Sequence, residues 1–275
     1  MSDFLTEMIA RRTARIAAEY GALPAADRER LACCARAPRP FAAALTERSD
    51  VAVIAEVKKA SPSAGPIAPE CEASKQALHY TDGGAAAISV LTEPEVFAGS
   101  FADLSDVADA VEVPVLAKDF VVDPAQVFAA RGHGADAVLL MVSVLGEERL
   151  CDYLDLAATL HLEALVEVVD ETELAIARRC GATLIGVNAR DLRTLAVDPA
   201  RARRVVSAAA ELPGVTVVAA SGTRTRADVE AAAAAGAHAV LVGETLMRAP
   251  FPEDVLEELT GVARGAARVD MPAHT

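Results

Sequence analysis

Lysine is scarce in this chain. Of its 26 basic residues only four are lysine, Lys58, Lys59, Lys75 and Lys118, so arginine fills nearly every general-purpose cationic position. The two side chains do not substitute for one another where a compact, pKa-tunable ammonium is needed, which makes each remaining lysine a candidate for chemistry. Basic charge as a whole is in short supply. Forty acidic residues (Asp+Glu 40) leave a net charge of −14, which argues against nucleic acid and anionic membrane as partners, since both are held through basic surface. An anionic small ligand would need a local positive site. Long hydrophobic runs are lacking as well: the longest are Ala-rich and about strand length, far short of the ~20 residues that cross a bilayer, and no charged-then-apolar leader opens the chain. These absences predict a cytoplasmic protein with no membrane contact. The five cysteines, Cys33, Cys34, Cys71, Cys151 and Cys180, are odd in number and form no C-x-x-C pair. That pattern argues against a disulfide framework and against a zinc site, so reduced thiols and no bound metal are expected.

What is present is a regular alternation. The chain has 275 residues, 53 % of them hydrophobic, enough for a sizeable core. Short apolar or β-branched runs recur at 51–57, 85–91, 113–117, 137–143, 163–169, 184–188, 215–220 and 239–243. Between them lie Ala-, Leu-, Glu- and Arg-rich stretches of helical length, such as 124–135, 171–182 and 225–239, several with a Gly-Ala helix stop. Strand alternating with helix eight times, without a long linker or composition break, predicts an α/β fold, a (β/α)8 TIM barrel. A doubly wound sheet would share the alternation, but no G-x-G-x-x-G follows the first strand. Ahead of that strand, "FLTEMIARRTARIAAEY" has helical periodicity with Phe4, Met8, Ile9 and Ile16 along one side. The predicted organisation is a helical extension over 1–50 packing on one end of the barrel, the barrel over 51–265, and a tail over 266–275.

In such a barrel the active site lies at the C-terminal ends of the strands. Polar residues gather there in this chain. Glu56 and Lys58 end strand one, Thr92 and Glu93 follow strand two, and Lys118 and Asp119 end strand three; Ser143 follows strand four and Glu167 lies late in strand five. Asn188 and Arg190 end strand six, and Ser221 with Gly222 and Gly243 with Glu244 follow strands seven and eight. Residues two apart share a face, so Glu56 with Lys58, Lys118 with Phe120, and Asn188 with Arg190 should look into one mouth, while Lys59 and Asp119 turn toward the helices and salt-bridge there. Buried charges persist only when paired or when they bind something charged. One reading is a polar plug at the barrel mouth; the other is general acid–base catalysis, which needs crowded Lys and Glu groups. Gly222 and Gly243, each leading from a strand into a helix start, make a candidate phosphate cradle.

Seven blocks in order carry a resemblance: "IAEVKKASPSAG" (54–65), "ISVLTEPEVFAGS" (88–100), "PVLAKDFVVDP" (114–124), "GADAVLLMVSVL" (134–145), "LVEVVDETEL" (165–174), "IGVNARDLRTLAVD" (185–198) and "VLVGETLM" (240–247). Over roughly residues 50–260 the chain resembles the indole-3-glycerol-phosphate synthase family. The resemblance implies an N-terminally extended barrel that uses no cofactor and no metal. Its implied substrate is 1-(2-carboxyphenylamino)-1-deoxyribulose 5-phosphate, an anionic phosphorylated small molecule, cyclised with loss of CO2 and water; a monomer or weak homo-oligomer is expected. The implied catalytic set is Glu56, Lys58, Lys118, Glu167 and Asn188. Lys118 would be the general acid on the ketone oxygen, Glu167 would serve the dehydration, Lys58 would hold the carboxylate or act as a second acid, and Glu56 would pair with a lysine. Ser61, Phe97, Phe120, Arg190, Leu192, Leu195 and Ser221 would contact the substrate. Gly222, Gly243 and Glu244 would hold its phosphate, and the loop 60–69 would close as a flap.

The chain departs from the family pattern where Ala64 stands for Lys, Ala117 for Arg, and Ala220 for the Glu of a Glu-Ser-Gly run. The loss at Ala220 removes an acid beside the site and leaves two other readings open. One is a paralogous barrel enzyme on another phosphorylated substrate, through a Schiff base on Lys118; the other is a non-catalytic barrel that binds a sugar phosphate.

Overall fold

The computed structural model describes residues 3–22, 24–30, 32 and 36–265. Eight strands form the barrel: β1 (Ala52–Val57), β2 (Ala87–Leu91), β3 (Val115–Lys118), β4 (Ala137–Met141), β5 (Glu163–Val168), β6 (Leu184–Asn188), β7 (Thr216–Ala220) and β8 (Ala239–Val242). Each pairs in parallel with its sequence neighbours, and β8 pairs with β1 to close the ring. The predicted runs and the observed strands differ by at most two residues at any end. β3 runs one residue further, taking Lys118 into the sheet, and β4 stops at Met141 because a helix starts at Val142, so Ser143 sits on that helix.

The alternation within each strand separates two apolar clusters. Val53 and Ala55, Ile88 and Val90, Val138 and Leu140, Val166 and Val168 face outward into a shell shared with the helices. Their neighbours Ile54, Leu116, Leu139, Leu165, Leu184, Val218 and Leu241 fill the lumen. The barrel is therefore packed through its middle, as inward layers of branched side chains require, and only its upper rim is free to hold polar groups.

The helices are α1 (Phe4–Tyr20), α2 (Ala25–Arg30), α3 (Phe41–Thr46), α4 (Ala73–Asp82), α5 (Phe101–Ala110), α6 (Pro124–Gly132), α7 (Val142–Thr159), α8 (Glu171–Arg179), α9 (Pro199–Ala210), α10 (Arg226–Ala234), α11 (Glu244–Arg248) and α12 (Pro252–Leu259). Several start on local capping signals. Asp3 accepts from the Thr6 amide, Asp170 from Glu173, and Asp123 with Gln126 and Thr225 with Asp228 form capping boxes.

The extension closes both ends of the barrel, where the sequence pattern predicted one. At the lower end α3 seats Phe41 and Leu45, both fully buried, and the Glu163 carboxylate at the start of β5 accepts the Phe41 and Ala42 amides at 2.6 and 3.0 Å. Arg36 pairs there with Asp136, a fully buried carboxylate just before β4, at 2.8 and 2.9 Å. At the upper end α1 buries Leu5, Met8, Arg12 and Ile16, while Phe4 and Ile9 are only half-buried. The buried stripe is rotated from the apolar one because Arg12 goes inside, where Nε and Nη2 donate to the two Asp119 oxygens at 2.9 and 2.5 Å.

Cysteine chemistry differs from the expectation of reduced thiols. Cys151 on α7 and Cys180 just after α8 form a disulfide with Cα atoms 4.9 Å apart. The partners are 29 residues apart in sequence, so no short C-x-x-C spacing announces them; adjacency of two successive barrel helices brings them together. Cys71 is free, and Cys33 and Cys34, like the tail at 266–275, lie outside the described residues. Among the described residues no helix is long and apolar enough to cross a membrane, and no group of three His, Cys, Asp or Glu side chains is placed to hold a metal ion.

Candidate active site

The upper rim of the barrel encloses a cavity of about 410 Å³. All fifteen site candidates from the sequence line it: Glu56, Lys58, Ser61, Phe97, Lys118, Phe120, Glu167, Asn188, Arg190, Leu192, Leu195, Ser221, Gly222, Gly243 and Glu244.

The centre is one carboxylate between two ammonium groups. Glu56, fully inside β1 at 3 % exposure, lies with Oε1 2.8 Å from Lys58 Nζ and Oε2 3.8 Å from Lys118 Nζ. Burial alone would raise the Glu56 carboxyl, but Lys58 and then Lys118 outweigh it and hold the group below its ordinary value. The second contact is an ion pair too long for a hydrogen bond, so Lys118 keeps its donors for a ligand. Lys59 and Asp119 both engage helices, as the alternation predicts: Lys59 pairs with Asp103 on α5 at 2.7 Å, and Asp119 with Arg12 on α1. Asp119 also accepts from the Thr92 hydroxyl at 2.9 Å and reaches the cavity wall. The backbone position of Lys118 is thereby tied to the extension.

Across the cavity, Asn188 Nδ2 donates to Glu167 Oε1 at 2.9 Å while Asn188 Oδ1 accepts the Arg190 amide at 2.9 Å. This fixes the carboxamide's orientation and holds one Glu167 oxygen. Arg190 Nη1 donates to the Leu195 carbonyl at 2.8 Å, closing the loop that presents Leu192 and Leu195, the latter in the left-handed region at φ 61°. Phe97 and Phe120 sit with ring centroids 6.2 Å apart and tilted at 46°, a wall for a flat apolar group. The loop 60–69 folds into a small ribbon, Ala60–Ser61 against Gly65–Pro66, with Ser61 Oγ accepting the Ala64 amide at 3.2 Å. Glu93, which sequence reasoning placed at the rim without a role, accepts the amides of Glu95, Val96 and Phe97 and so shapes the loop carrying Phe97.

The two glycines differ in kind. Gly222 follows Ser221, and both are left-handed, at φ 89° and 64°. Gly243 is not left-handed; a Cβ there would lie 2.6 Å from Glu56 Oε1 and 3.0 Å from Lys58 Nζ. Its hydrogen makes room for the ion pair. α11 starts directly after Gly243 with no side-chain cap on its first turn, leaving backbone donors for an anion. Thr223, Arg224, Thr245 and Arg248 also reach this part of the wall and were not singled out in sequence, because nothing in their spacing separates them from ordinary helix-start residues. Ala220 is in register with Asn188 and Leu241 and presents an apolar surface to the cavity.

A thiamine phosphate pyrophosphorylase structure from Pyrococcus furiosus matches with a TM-score of 0.59 at 16 % identity, covering 80 % of this chain and 96 % of that one, which is a likeness of fold alone. Sequence relatives reach further. An indole-3-glycerol phosphate synthase of Desulfosudis oleivorans is 40 % identical over 94 % of this chain and 99 % of its own, and the one of Mycobacteroides abscessus is 49 % identical over 81 % and 82 %. That of Micrococcus luteus is 46 % identical over 85 % and 88 %. The family model described as indole-3-glycerol phosphate synthase matches residues 5–259, from the first turn of α1 to the last residue of α12. With the extension, the closed barrel and the rim all inside that match, the chain belongs to the indole-3-glycerol phosphate synthase family.

Proposed function

We propose that the protein is a carboxy-lyase that converts 1-(2-carboxyphenylamino)-1-deoxyribulose 5-phosphate into indole-3-glycerol phosphate, in the cytoplasm and without a cofactor. The observation that carries this is the Lys58–Glu56–Lys118 cluster facing the Glu167–Asn188 pair across one cavity. The substrate has three features to be met: a phosphate, a benzoate and a ketone. Gly222, Gly243 and the free first turn of α11 suit the phosphate, Lys58 suits the carboxylate, and the Phe97–Phe120 wall with Leu192 and Leu195 suits the ring.

Ring closure joins the aromatic carbon bearing the carboxylate to the ketone carbon. As that bond forms, the ketone oxygen takes a proton from the Lys118 ammonium and becomes a hydroxyl. Breaking the bond to the carboxylate then releases CO2 and returns its electron pair to the ring. Loss of the hydroxyl as water, with a proton removed through Glu167, completes the indole. Glu56 pairs with both lysines, at 2.8 and 3.8 Å, and so holds the two ammonium groups at one side of the cavity. Asn188 holds Glu167, and Arg190 orders the loop over the intermediate.

The chain contains no tryptophan, so the indole product is read against a dark background. Purified protein mixed with the substrate near neutral pH should generate indole fluorescence; its absence would remove the reading. The apolar wall at Ala220 is the observation that favours a second reading, a Schiff-base enzyme acting through Lys118 on another phosphorylated carbonyl. Borohydride trapping distinguishes the two, since a stable adduct on Lys118 is expected only for the second.

A further inference from the structure

Two buried polar atoms next to the catalytic cluster have no hydrogen-bond partner among the described residues: Glu56 Oε2 and Ser89 Oγ. Ser89 is 0 % exposed, at the middle of β2. Its neighbours Ile88 and Val90 belong to the outer shell and Ala87 to the lumen, so Ser89 points inward. Glu56 points inward by the same test, between outward Ala55 and Val57. The two residues are register partners on adjacent parallel strands, Glu56 opposite Ser89, one row below Leu91, which is opposite Lys118. The hydroxyl thus lies on the one strand between those that carry Glu56 and Lys118, on the same face and at the level of the carboxylate. Register partners on adjacent strands sit about 5 Å apart at the backbone, and with no direct bond between the two side chains the spacing suits one bridging water. A fully buried hydroxyl and a fully buried carboxylate oxygen each carry a desolvation cost if left unpaired, and side by side they can relieve each other.

We propose that Ser89 is a positioning residue for Glu56: its hydroxyl donates to one water that in turn donates to Oε2, and this bridge keeps that oxygen from closing on Lys118. This rests on the function proposed above. Glu56 Oε1 is already committed to Lys58 at 2.8 Å, so the partner of Oε2 decides how tightly Lys118 is held. With Ser89 in place, the 3.8 Å separation leaves the Lys118 ammonium free to face a ketone oxygen. Without the hydroxyl, Oε2 has only Lys118 to turn to, and the proton donor is drawn down onto the carboxylate.

The test is Ser89→Ala, a nearly isosteric change that removes only the hydroxyl. Turnover should fall about tenfold, the scale of one hydrogen bond to a charged group, while KM stays within about twofold, because Ser89 does not line the cavity. Ser89→Thr, which keeps the hydroxyl, should recover most of the loss. A second readout needs no turnover. With only four lysines, reductive methylation with 13C-formaldehyde gives four dimethyl-lysine signals, assignable by Lys→Arg variants. In Ser89→Ala the Lys118 signal should move while that of Lys75, on the surface with Glu72, stays in place. Unchanged kcat in Ser89→Ala, or an unmoved Lys118 signal, overturns the proposal. A wild-type protein that makes no indole while its Lys118 signal still responds to Ser89→Ala would instead count against the reaction and leave the positioning role standing.

Discussion

At the scale of single residues, the site depends on which cation can surrender a proton and on how closely three groups pack. Lys118→Arg preserves charge but substitutes a guanidinium that hardly gives up its proton, so kcat should drop ~100-fold or more with the fold intact; near-normal indole formation would exclude Lys118 as the acid. Gly243→Ala places a methyl 2.6 Å from Glu56 Oε1 and should depress kcat, whereas Gly222→Ala strains a φ of 89° but meets only Val197 Cγ1, at an ordinary 3.7 Å, and should act mainly on KM. Steady-state kinetics of the pair check this, and an identical kcat–KM pattern in both would contradict it. Glu173, at the start of α8, is a different case. Burial, with Asp170 and Glu167 nearby, pushes its carboxyl up to about 7, against the Val169 amide that it accepts at 2.9 Å. Its folded value lies above the unfolded one, so the folded chain binds the extra proton between the two, and the group's contribution to stability is fullest below about 4.5 and falls away as pH rises toward about 7. Glu173→Gln should therefore gain on the wild type by about 1 kcal/mol at pH 8, after allowance for solvent screening, and by nothing near pH 4. Thermal melts at the two values check it; equal gains at both would refute it. That the candidate residues gather at one rim was legible in sequence because strand alternation and the two-residue spacing of Glu56 and Lys58 are local facts. The reason for Gly243 was not, since a glycine after a strand looks the same whether it serves an anion or makes room for a carboxylate on the next strand.

Among elements, the barrel strands were readable to within two residues, each being an apolar run bounded by helix stops, while contacts between distant elements were not. The disulfide between α7 and the end of α8 is one such contact. A covalent loop of this size restrains the unfolded chain by about 3 kcal/mol, so Cys151→Ser, or the wild type in reducing agent, should melt several degrees lower. An unchanged melt in dithiothreitol, with two more thiols titrated than before, would show the bond to be thermodynamically idle. The buried Arg12–Asp119 pair is another. Helical periodicity in 4–20 pointed to an apolar stripe, and a charged residue inside it is unreadable until its partner, 107 residues later, is known. Removing one member of a buried pair leaves the other uncompensated, which is why this contact fixes α1 so firmly over β3.

For the molecule as a whole, the cavity lining sets five cations, Lys58, Lys118, Arg190, Arg224 and Arg248, against five carboxylates in a chain of −14, so an anionic substrate meets less repulsion at this end of the barrel than over the rest of the surface. That end and the opposite one are both closed by the extension, through partners that come 97 to 122 residues after it. Order of synthesis then matters. When the extension leaves the ribosome, Asp119, Asp136 and Glu163 have not been made, so the segment translated first has its docking partners only once the chain has reached β5, with half the strands of the ring in place. Because Asp119 adjoins Lys118, docking of α1 also fixes the backbone beside that lysine. In pulsed hydrogen exchange during refolding, amides of α1 should gain protection after those of β4 to β6, and indole-forming activity should return with α1. Protection of α1 ahead of the strands, or activity that precedes it, would separate maturation of the site from closure of the latch.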